Sequence, residues 1–307
     1  MTAKKYRILT ESSGSLTSGY IIKAIRSAGY VSICSDIDTV NVGRYLADEF
    51  VIMPKANDEK LWEKISEIVR NNRIDIVIPS FDETLFGWAN RKEYFAGLNV
   101  KVITSPQSTI ETCIDKWKTF EFFESCGVPT PRTSLTQDYE LIKPRFGRGG
   151  KGILRASEPV TMLGKISQEV INGTEFTVDI FCNSKGTPIY IVPRRRLRVV
   201  DGKATAGIVE ESEVIASWVR KICSYLTFIG PINMQCFMLS NGELKFLEIN
   251  PRIGGGMALG FAATENWVNL IASNLVEGTE ITPKKVINYL RMERYYDEIF
   301  VPGSPLE

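Results

Sequence analysis

The sequence predicts an α/β domain built on a parallel sheet, followed by an α+β domain in which antiparallel strands dominate. Over residues 6–103 short apolar runs alternate with segments of helical spacing, the βαβ rhythm of a parallel sheet covered on both faces. Beyond residue 130 strands predominate, and a hairpin with an Asn-Gly turn stands out at 231–250. With 307 residues, 44% hydrophobic and 24% charged, the chain has material for two domains.

Residues 6–10 form a short apolar strand, and 18–28 a helix with Ile21, Ile22 and Ile25 on one side. A second strand follows at 30–35. Residues 60–70 carry Leu61, Trp62, Ile65, Ile68 and Val69 at helical spacing, and 74–79 and 100–103 read as buried strands. A helix at 115–125 turns Trp117, Phe120 and Phe123 inward, and Pro129 and Pro131 end it. Helices are expected at 158–163 and 211–226, the latter with Val214, Ile215, Trp218, Val219, Ile222 and Leu226 inward. After Pro283 the pattern is weak, and the end at 301–305 is expected to be loose.

A formal charge of +1 gives no electrostatic reason to expect nucleic acid or an anionic membrane surface. The six cysteines are scattered without a CxxC pair and read as buried or free thiols of a reducing compartment. No apolar region follows the charged first residues, and no run approaches ~18 apolar residues, so the expectation is a soluble cytoplasmic protein. The absence of histidine removes Ser-His and Cys-His nucleophiles, imidazole acid–base work and His metal sites. Asp36 and Asp38 after the second strand invite a dinucleotide-binding reading. However, Gly14 and Gly19 do not make GxGxxG, and a turn with a helix N-terminus fits better.

Three segments carry chemistry. In the hairpin, an Asn241-Gly242 type I′ turn would set Leu239 opposite Leu244, Phe237 opposite Phe246, Gln235 opposite Glu248 and Asn233 opposite Asn250. All eight would share a face, apolar near the turn and rich in oxygen donors at the other end, where Gln235, Glu248 and Asn250 suit Mg²⁺. Alone, this could be a solvated hairpin end. The run 250–256 that follows, Asn-Pro-Arg-Ile-Gly-Gly-Gly, places Arg252 and a glycine turn beside it, suited to anionic oxygens. Upstream, Lys143 ends a strand and leads into Arg145-Phe-Gly-Arg-Gly-Gly-Lys-Gly152, a basic glycine loop suited to phosphates though not a Walker A loop. Residues 168–178 read as strand, turn and strand, a hinge whose backbone can read an adenine edge, with Glu175 placed for ribose hydroxyls. Arg194, Arg196 and Arg198 would share one face of a strand before a turn at Asp201-Gly202 and are expected to hold a carboxylate or acyl phosphate. A charged strand edge is the plainer alternative. Asp82 and Glu83 are weaker candidates for an amine, and an N-cap explains Asp82 as well.

In this order the segments resemble the ATP-grasp superfamily, especially the synthetase halves of the carbamoyl phosphate synthetase large subunit and short stand-alone relatives. The Glu248-Ile249-Asn250-Pro251-Arg252 match is the most specific part. The resemblance implies a Rossmann-like pre-ATP-grasp domain at 1–107, an ATP-grasp domain at 108–282 with a lid at about 130–170, and a tail at 283–307. It also implies that Lys116 and Lys143 contact ATP phosphates and that Gly147, Arg148, Gly149 and Gly150 belong to the lid loop. Gln168, Glu169, Val170 and Ile171 would line the adenine site, Glu175 would meet the ribose, and Asn233 would border the nucleotide. Gln235, Glu248 and Asn250 would hold two Mg²⁺ ions, with Mn²⁺ as a substitute, and Arg252 would stabilise the transferring phosphoryl group. Gln235 stands where many family ligases place a carboxylate. One ATP-grasp unit without a glutaminase is not expected to make carbamoyl phosphate by itself.

The implied reaction joins two small molecules, a carboxylate activated as an acyl phosphate and an amine, with release of ADP and phosphate. A homodimer is common in that group. The rival readings are a small-molecule kinase using the same ATP site and a nucleotide-binding subunit without turnover.

Overall fold

The computed structural model describes residues 5–302, apart from Leu16 and Asp201. Asp201 of the expected 201–202 turn, and residues 303–305 of the expected loose end, lie outside the described residues.

The first sheet is parallel: β1 (Arg7–Thr10), β2 (Val31–Asp36), β3 (Glu49–Ile52), β4 (Ile76–Ile78) and β5 (Lys101–Val102), in the order β3-β2-β1-β4-β5. Its helices are α1 (Gly19–Ser27), α2 (Gly43–Leu46), α3 (Leu61–Asn71), α4 (Asp82–Asn90) and α5 (Lys92–Gly97). Strand alternation divides the core. Ile8, Ile76 and Ile78 pack with Ile21 and Ile25 of α1 on one face, and Leu9, Ile33 and Val77 pack with Ile65, Val69, Trp88 and Phe95 on the other. The dinucleotide reading loses its acid, because the Asp36 carboxylate accepts from Gly14 N–H at 2.8 Å and from Ile37 N–H at 2.8 Å.

After α6 (Gln107–Ile114) and α7 (Lys116–Ser125) comes a small antiparallel sheet of β6 (Thr133–Ser134), β7 (Leu141–Pro144), β8 (Leu154–Arg155) and β9 (Lys165–Gln168), ordered β6-β9-β7-β8. Of the inward aromatics expected on α7, Phe123 is buried, while Trp117 and Phe120 are half-buried. No helix forms at 158–163. The Gln137 side chain takes up the local backbone instead, accepting from Val160 N–H at 2.7 Å and donating to Glu158 O at 2.9 Å, and Pro159 and β-branched Val160 and Thr161 disfavour a turn of helix.

The largest sheet is antiparallel: β10 (Thr174–Cys182), β11 (Pro188–Val200), β12 (Lys203–Val209), β13 (Gly230–Met238), β14 (Leu244–Asn250) and β15 (Arg291–Glu293), ordered β14-β13-β10-β11-β12-β15. β9 and β10 belong to different sheets, so 168–178 is no hairpin but a crossing between them. The weakly patterned tail supplies the edge strand β15. α8 (Glu213–Tyr225) covers one face with Ile215, Val219 and Ile222 against Val178, Ile180, Ile232 and Met234. The other face joins the α1 side of the first sheet through α9 (Ala258–Ala263), α10 (Trp267–Leu270) and the π-helical turn Ile271–Val276.

The β13–β14 register agrees with expectation at one end only. Asn233 lies opposite Asn250 and Gln235 opposite Glu248, but Cys236 faces Phe246 and Met238 faces Leu244. Leu247 is therefore an extra residue, a β-bulge that turns Phe246 and Leu244 into the core while Glu248 and Asn250 stay on the opposite face. The turn also differs from type I′. Gly242 N–H closes onto Leu239 O at 3.0 Å, Leu239 N–H pairs with Glu243 O at 2.8 Å, and of Asn241 and Gly242 only Gly242 has a positive φ (+85°). That is a longer loop closing on a left-handed glycine.

Candidate active site

Four strands set one polar surface. Glu248 on β14 faces Gln235 on β13, Gln235 faces Thr177 on β10, and Thr177 faces Arg194 on β11. A second row runs Asn250, Asn233, Asp179. Directly opposed residues share a face with Cβ atoms ~5 Å apart, so the side chains form one continuous patch. Within it Asn250 Nδ2 donates to Glu248 Oε1 at 3.0 Å and to Asn233 Oδ1 at 3.3 Å.

The arginines are already partnered. Arg194 Nε donates to Asp179 Oδ2 at 2.8 Å, and both side chains are almost wholly buried. Arg196 pairs with Glu175 and donates from Nη2 to Gly202 O at 2.9 Å. Arg198 does not share their face. Leu197 is an extra residue between Arg196 and Arg198, and Arg198 is exposed, bonded to Thr205 Oγ1 at 3.0 Å. Arg252 makes a two-pronged pair with Asp82, 2.6 Å from Nε to Oδ1 and 2.6 Å from Nη2 to Oδ2. Asp82 is thus neither an N-cap nor open to an amine: Phe81 occupies the cap position of α4, and the carboxylate is engaged.

The glycines after Arg252 make room for these side chains. A Cβ on Gly254 would lie 2.6 Å from Asn233 Nδ2, one on Gly255 2.2 Å from Thr17 Oγ1, and one on Gly256 2.3 Å from Arg194 Nη2. Tyr20 Oη donates to Gly254 O at 2.7 Å, and Arg294 Nη2 donates to Gly255 O at 2.5 Å, so α1 and the tail grip the turn from two sides.

The small sheet brings the lysines. Lys143 Nζ donates to Gln168 Oε1 at 2.5 Å, and Gln168 is anchored through Nε2 to Thr133 Oγ1 at 2.9 Å. Burial lowers the Lys143 pKa. Glu248 and Glu175 oppose that shift and Lys116 adds to it, which places Lys143 within electrostatic reach of the polar patch. Lys116 Nζ donates to Gly147 O at 2.8 Å. In the glycine loop Gly147, Gly149, Gly150 and Gly152 all have positive φ, which favours glycine. Arg148 reaches α4, lying 4.3 Å from the Phe81 ring centroid and 3.4 Å from Glu83. In the crossing, Glu169 N–H bonds Arg132 O at 3.0 Å and its carboxylate pairs with Arg132 Nε at 2.8 Å, while Val170 and Ile171 are half-buried.

The polar patch, the glycine turn and the glycine loop border a cavity of about 800 Å³, whose lining does not include Lys116, Lys143, Glu175 or residues 168–171. Gln235, Glu248, Asn250, Arg252, Arg194 and Arg196 line it together with Gly147–Gly149 and, from the first sheet, Glu11, Ser12 and Ser80. Glu11, Thr17, Thr177 and Asp179 were not singled out from the sequence. The only signal was for Asp179, an acid inside the apolar run 176–182. No group of three or more Cys, Asp and Glu residues among the described residues is arranged to hold a metal. The patch instead offers one carboxylate and neutral amides, a hard oxygen set of the kind Mg²⁺ completes with phosphate oxygens and water. No helix among the described residues is long and apolar enough to cross a membrane.

The chain resembles known proteins in sequence and in fold. The family described as "ATP-grasp in the biosynthetic pathway with Ter operon" matches residues 163–296, and "PylC-like, N-terminal domain" matches residues 8–103. The carbamoyl phosphate synthase large chain of Thermoplasma acidophilum is 24% identical over an alignment covering 89% of this chain and 30% of that one. This chain therefore spans less than a third of that relative's length. N5-carboxyaminoimidazole synthetase from Staphylococcus aureus, complexed with ADP, has a TM-score of 0.70 at 17% identity, covering 94% of this chain and 82% of that one. L-amino acid ligase from Bacillus licheniformis has a TM-score of 0.70 at 18% identity, covering 92% and 76%.

Proposed function

From a chain that joins a PylC-like N-terminal domain to an ATP-grasp domain, we propose an ATP- and Mg²⁺-dependent ligase that activates a small-molecule carboxylate as an acyl phosphate and couples it to an amine. The observation that carries this reading is the convergence on one cavity of Gln235, Glu248 and Asn250 with Arg252 and the glycine loop.

A carboxylate is a poor electrophile until one oxygen becomes part of a good leaving group, and phosphoryl transfer achieves that. Lys143 and Lys116, with backbone N–H groups of the 147–152 loop, bind the phosphate chain. Glu169 and Ile171 meet adenine through the backbone, with Gln168 and Val170 beside them, and Glu175 faces the ribose while held by Arg196. Glu248, Gln235 and Asn250 would hold two Mg²⁺ ions beside Asn233, which when bound would neutralise charge on the phosphates. A neutral amide at 235 makes that site weak, so turnover rises with Mg²⁺ beyond the amount that saturates ATP. Arg252, oriented by Asp82, faces the transferring phosphoryl group, and the glycine loop excludes water that would hydrolyse the acyl phosphate. The amine attacks as the free base, so no histidine is required.

The test is a screen of paired acids and amines with Mg·ATP, read by ADP release and product mass. Ligation predicts ADP, free phosphate and an adduct only when both partners are present. A stable phosphorylated product without free phosphate would make the chain a kinase, and nucleotide binding with no ADP for any pair would make it a non-catalytic subunit.

A further inference from the structure

The glycine loop leaves β7 and returns to β8. Its glycines give the unfastened loop many conformations, and ordering them costs entropy. At its base α7 holds it, with Lys116 N–H bonded to Arg145 O at 3.0 Å and Lys116 Nζ to Gly147 O at 2.8 Å. On one flank it touches the turn between β11 and β12, since a Cβ on Gly202 would lie 2.5 Å from Gly149 O. Between these contacts Gly147, Arg148 and Gly149 line the cavity.

The other flank is fastened by a side chain. Arg145 pairs with Asp115, and among the described residues Lys151 makes no ion pair, so Arg148 is the loop cation whose ion pairs reach the first domain. Its guanidinium lies 4.3 Å from the Phe81 ring centroid, its Nη2 3.4 Å from Glu83 Oε2 and its Nε 3.7 Å from Asp82 Oδ2. Phe81 holds the cap position of α4, and Asp82 and Glu83 open the helix. One arginine therefore meets three consecutive residues, its face against the ring and its edge toward the two acids, a use of the planar group that a lysine would not match.

Asp82 is shared. Its Oδ2 takes Arg252 Nη2 at 2.6 Å and stands 3.7 Å from Arg148 Nε. Arg252 comes from the turn after the large sheet and Arg148 from the small sheet, so one carboxylate of the first domain ties both. With Arg148 in place, two acids face two guanidinium groups. With Arg148 withdrawn they face Arg252 alone, and the positive potential that Arg252 shows to the cavity falls.

We propose that Arg148 is the latch of the glycine loop and, through Asp82, a positioning residue for Arg252, so that fastening the loop also completes the cationic wall. The latch rests on these contacts alone, and its effect on Arg252 rests on the ligase reading.

Millisecond hydrogen–deuterium exchange of the full chain without nucleotide tests the latch. Two variants cut it from opposite sides: Arg148→Ala on the loop, and Phe81→Leu with Glu83→Gln on α4, which leaves Asp82 and Arg252 in place. Amides of the glycine loop should exchange about five- to tenfold faster in either variant, the scale of one exposed cation–π contact with a partly exposed ion pair. Combining them should add nothing further. Unchanged exchange in either variant, or rates that multiply in the combination, would overturn the latch. With an acid and an amine that support turnover, Arg148→Ala should lower kcat about fivefold or more, keep the KM for ATP within about twofold and release ADP in excess of adduct. A KM for ATP that rises as far as kcat falls would make Arg148 a phosphate ligand instead, and an unchanged kcat would remove the coupling to Arg252. If exchange behaves as stated and no pair ever releases ADP, the ligase reading fails and the latch stands.

Discussion

Arg194 was expected from the sequence to touch substrate, but the structure also makes it the counter-ion of an interior acid, and the two roles predict different outcomes for its removal. Asp179 is fully buried between Val178 and Ile180, and Arg194 Nε at 2.8 Å is its cation. Taking away the guanidinium leaves a carboxylate in the interior, which costs about 3–5 kcal/mol, whereas replacing both partners by apolar residues of similar size is often close to neutral. In a chain of this size about 1 kcal/mol corresponds to ~2–4 °C of melting temperature. Arg194→Met alone should therefore lower the thermal midpoint by about 6–20 °C, and Arg194→Met with Asp179→Leu should recover most of that loss. Differential scanning calorimetry on the wild type, both single variants and the double variant closes the cycle. If Arg194→Met melts within about 1 °C of the wild type while turnover collapses, the ion pair contributes nothing to stability and Arg194 acts on substrate alone.

Asp82→Asn removes one prong from Arg252 and should lower kcat about tenfold with the KM for ATP nearly unchanged; equal loss in both would place Asp82 in nucleotide binding instead. Gly255→Ala should be destabilising by about 1–3 kcal/mol because its Cβ meets Thr17 Oγ1 at 2.2 Å, and Thr17→Ala in the same chain should relieve only part of it, since Thr17 Cβ remains 2.7 Å away. Glu11 sets a pH dependence. Its folded-state pKa lies above the ordinary 4.5, so the folded chain holds that proton more tightly than the unfolded one. The associated stability is fully present below 4.5 and is lost as pH rises through the folded-state pKa. Urea midpoints of wild type and Glu11→Gln should therefore diverge to the wild type's disadvantage as pH rises; parallel curves would remove the shift.

Local chemistry was legible, and distant contacts were not. Counting back from a two-residue turn at Asn241-Gly242 placed Gln235, Glu248, Asn233 and Asn250 correctly against one another, because the turn's additional residue and the additional residue Leu247 cancel in the count. The turn end failed, since a bulge at Leu247 reverses the facing of Phe246 and Leu244, and inserting one residue leaves no mark on composition. The same effect took Arg198 off the face of Arg194 and Arg196. The expected helix at 158–163 yielded to the Gln137 side chain, which takes up its backbone, and to Pro159, Val160 and Thr161, which disfavour a helical turn. Asp82 read equally well as a helix cap, because its true partner lies 170 residues away. Glu11 gave no sign at all, its burial arising from Ser80 in a later loop and from Thr84 and Trp88 on the helix after it.

The most direct measurement follows oxygen. With the first acid and amine found to support ADP release, the acid is supplied with ¹⁸O in its carboxylate and the products are weighed by mass spectrometry. Activation as an acyl phosphate predicts that each phosphate released carries one labelled oxygen and that the adduct has lost one. Phosphate without label, or an adduct keeping both labelled oxygens, would mean that the carboxylate is never phosphorylated.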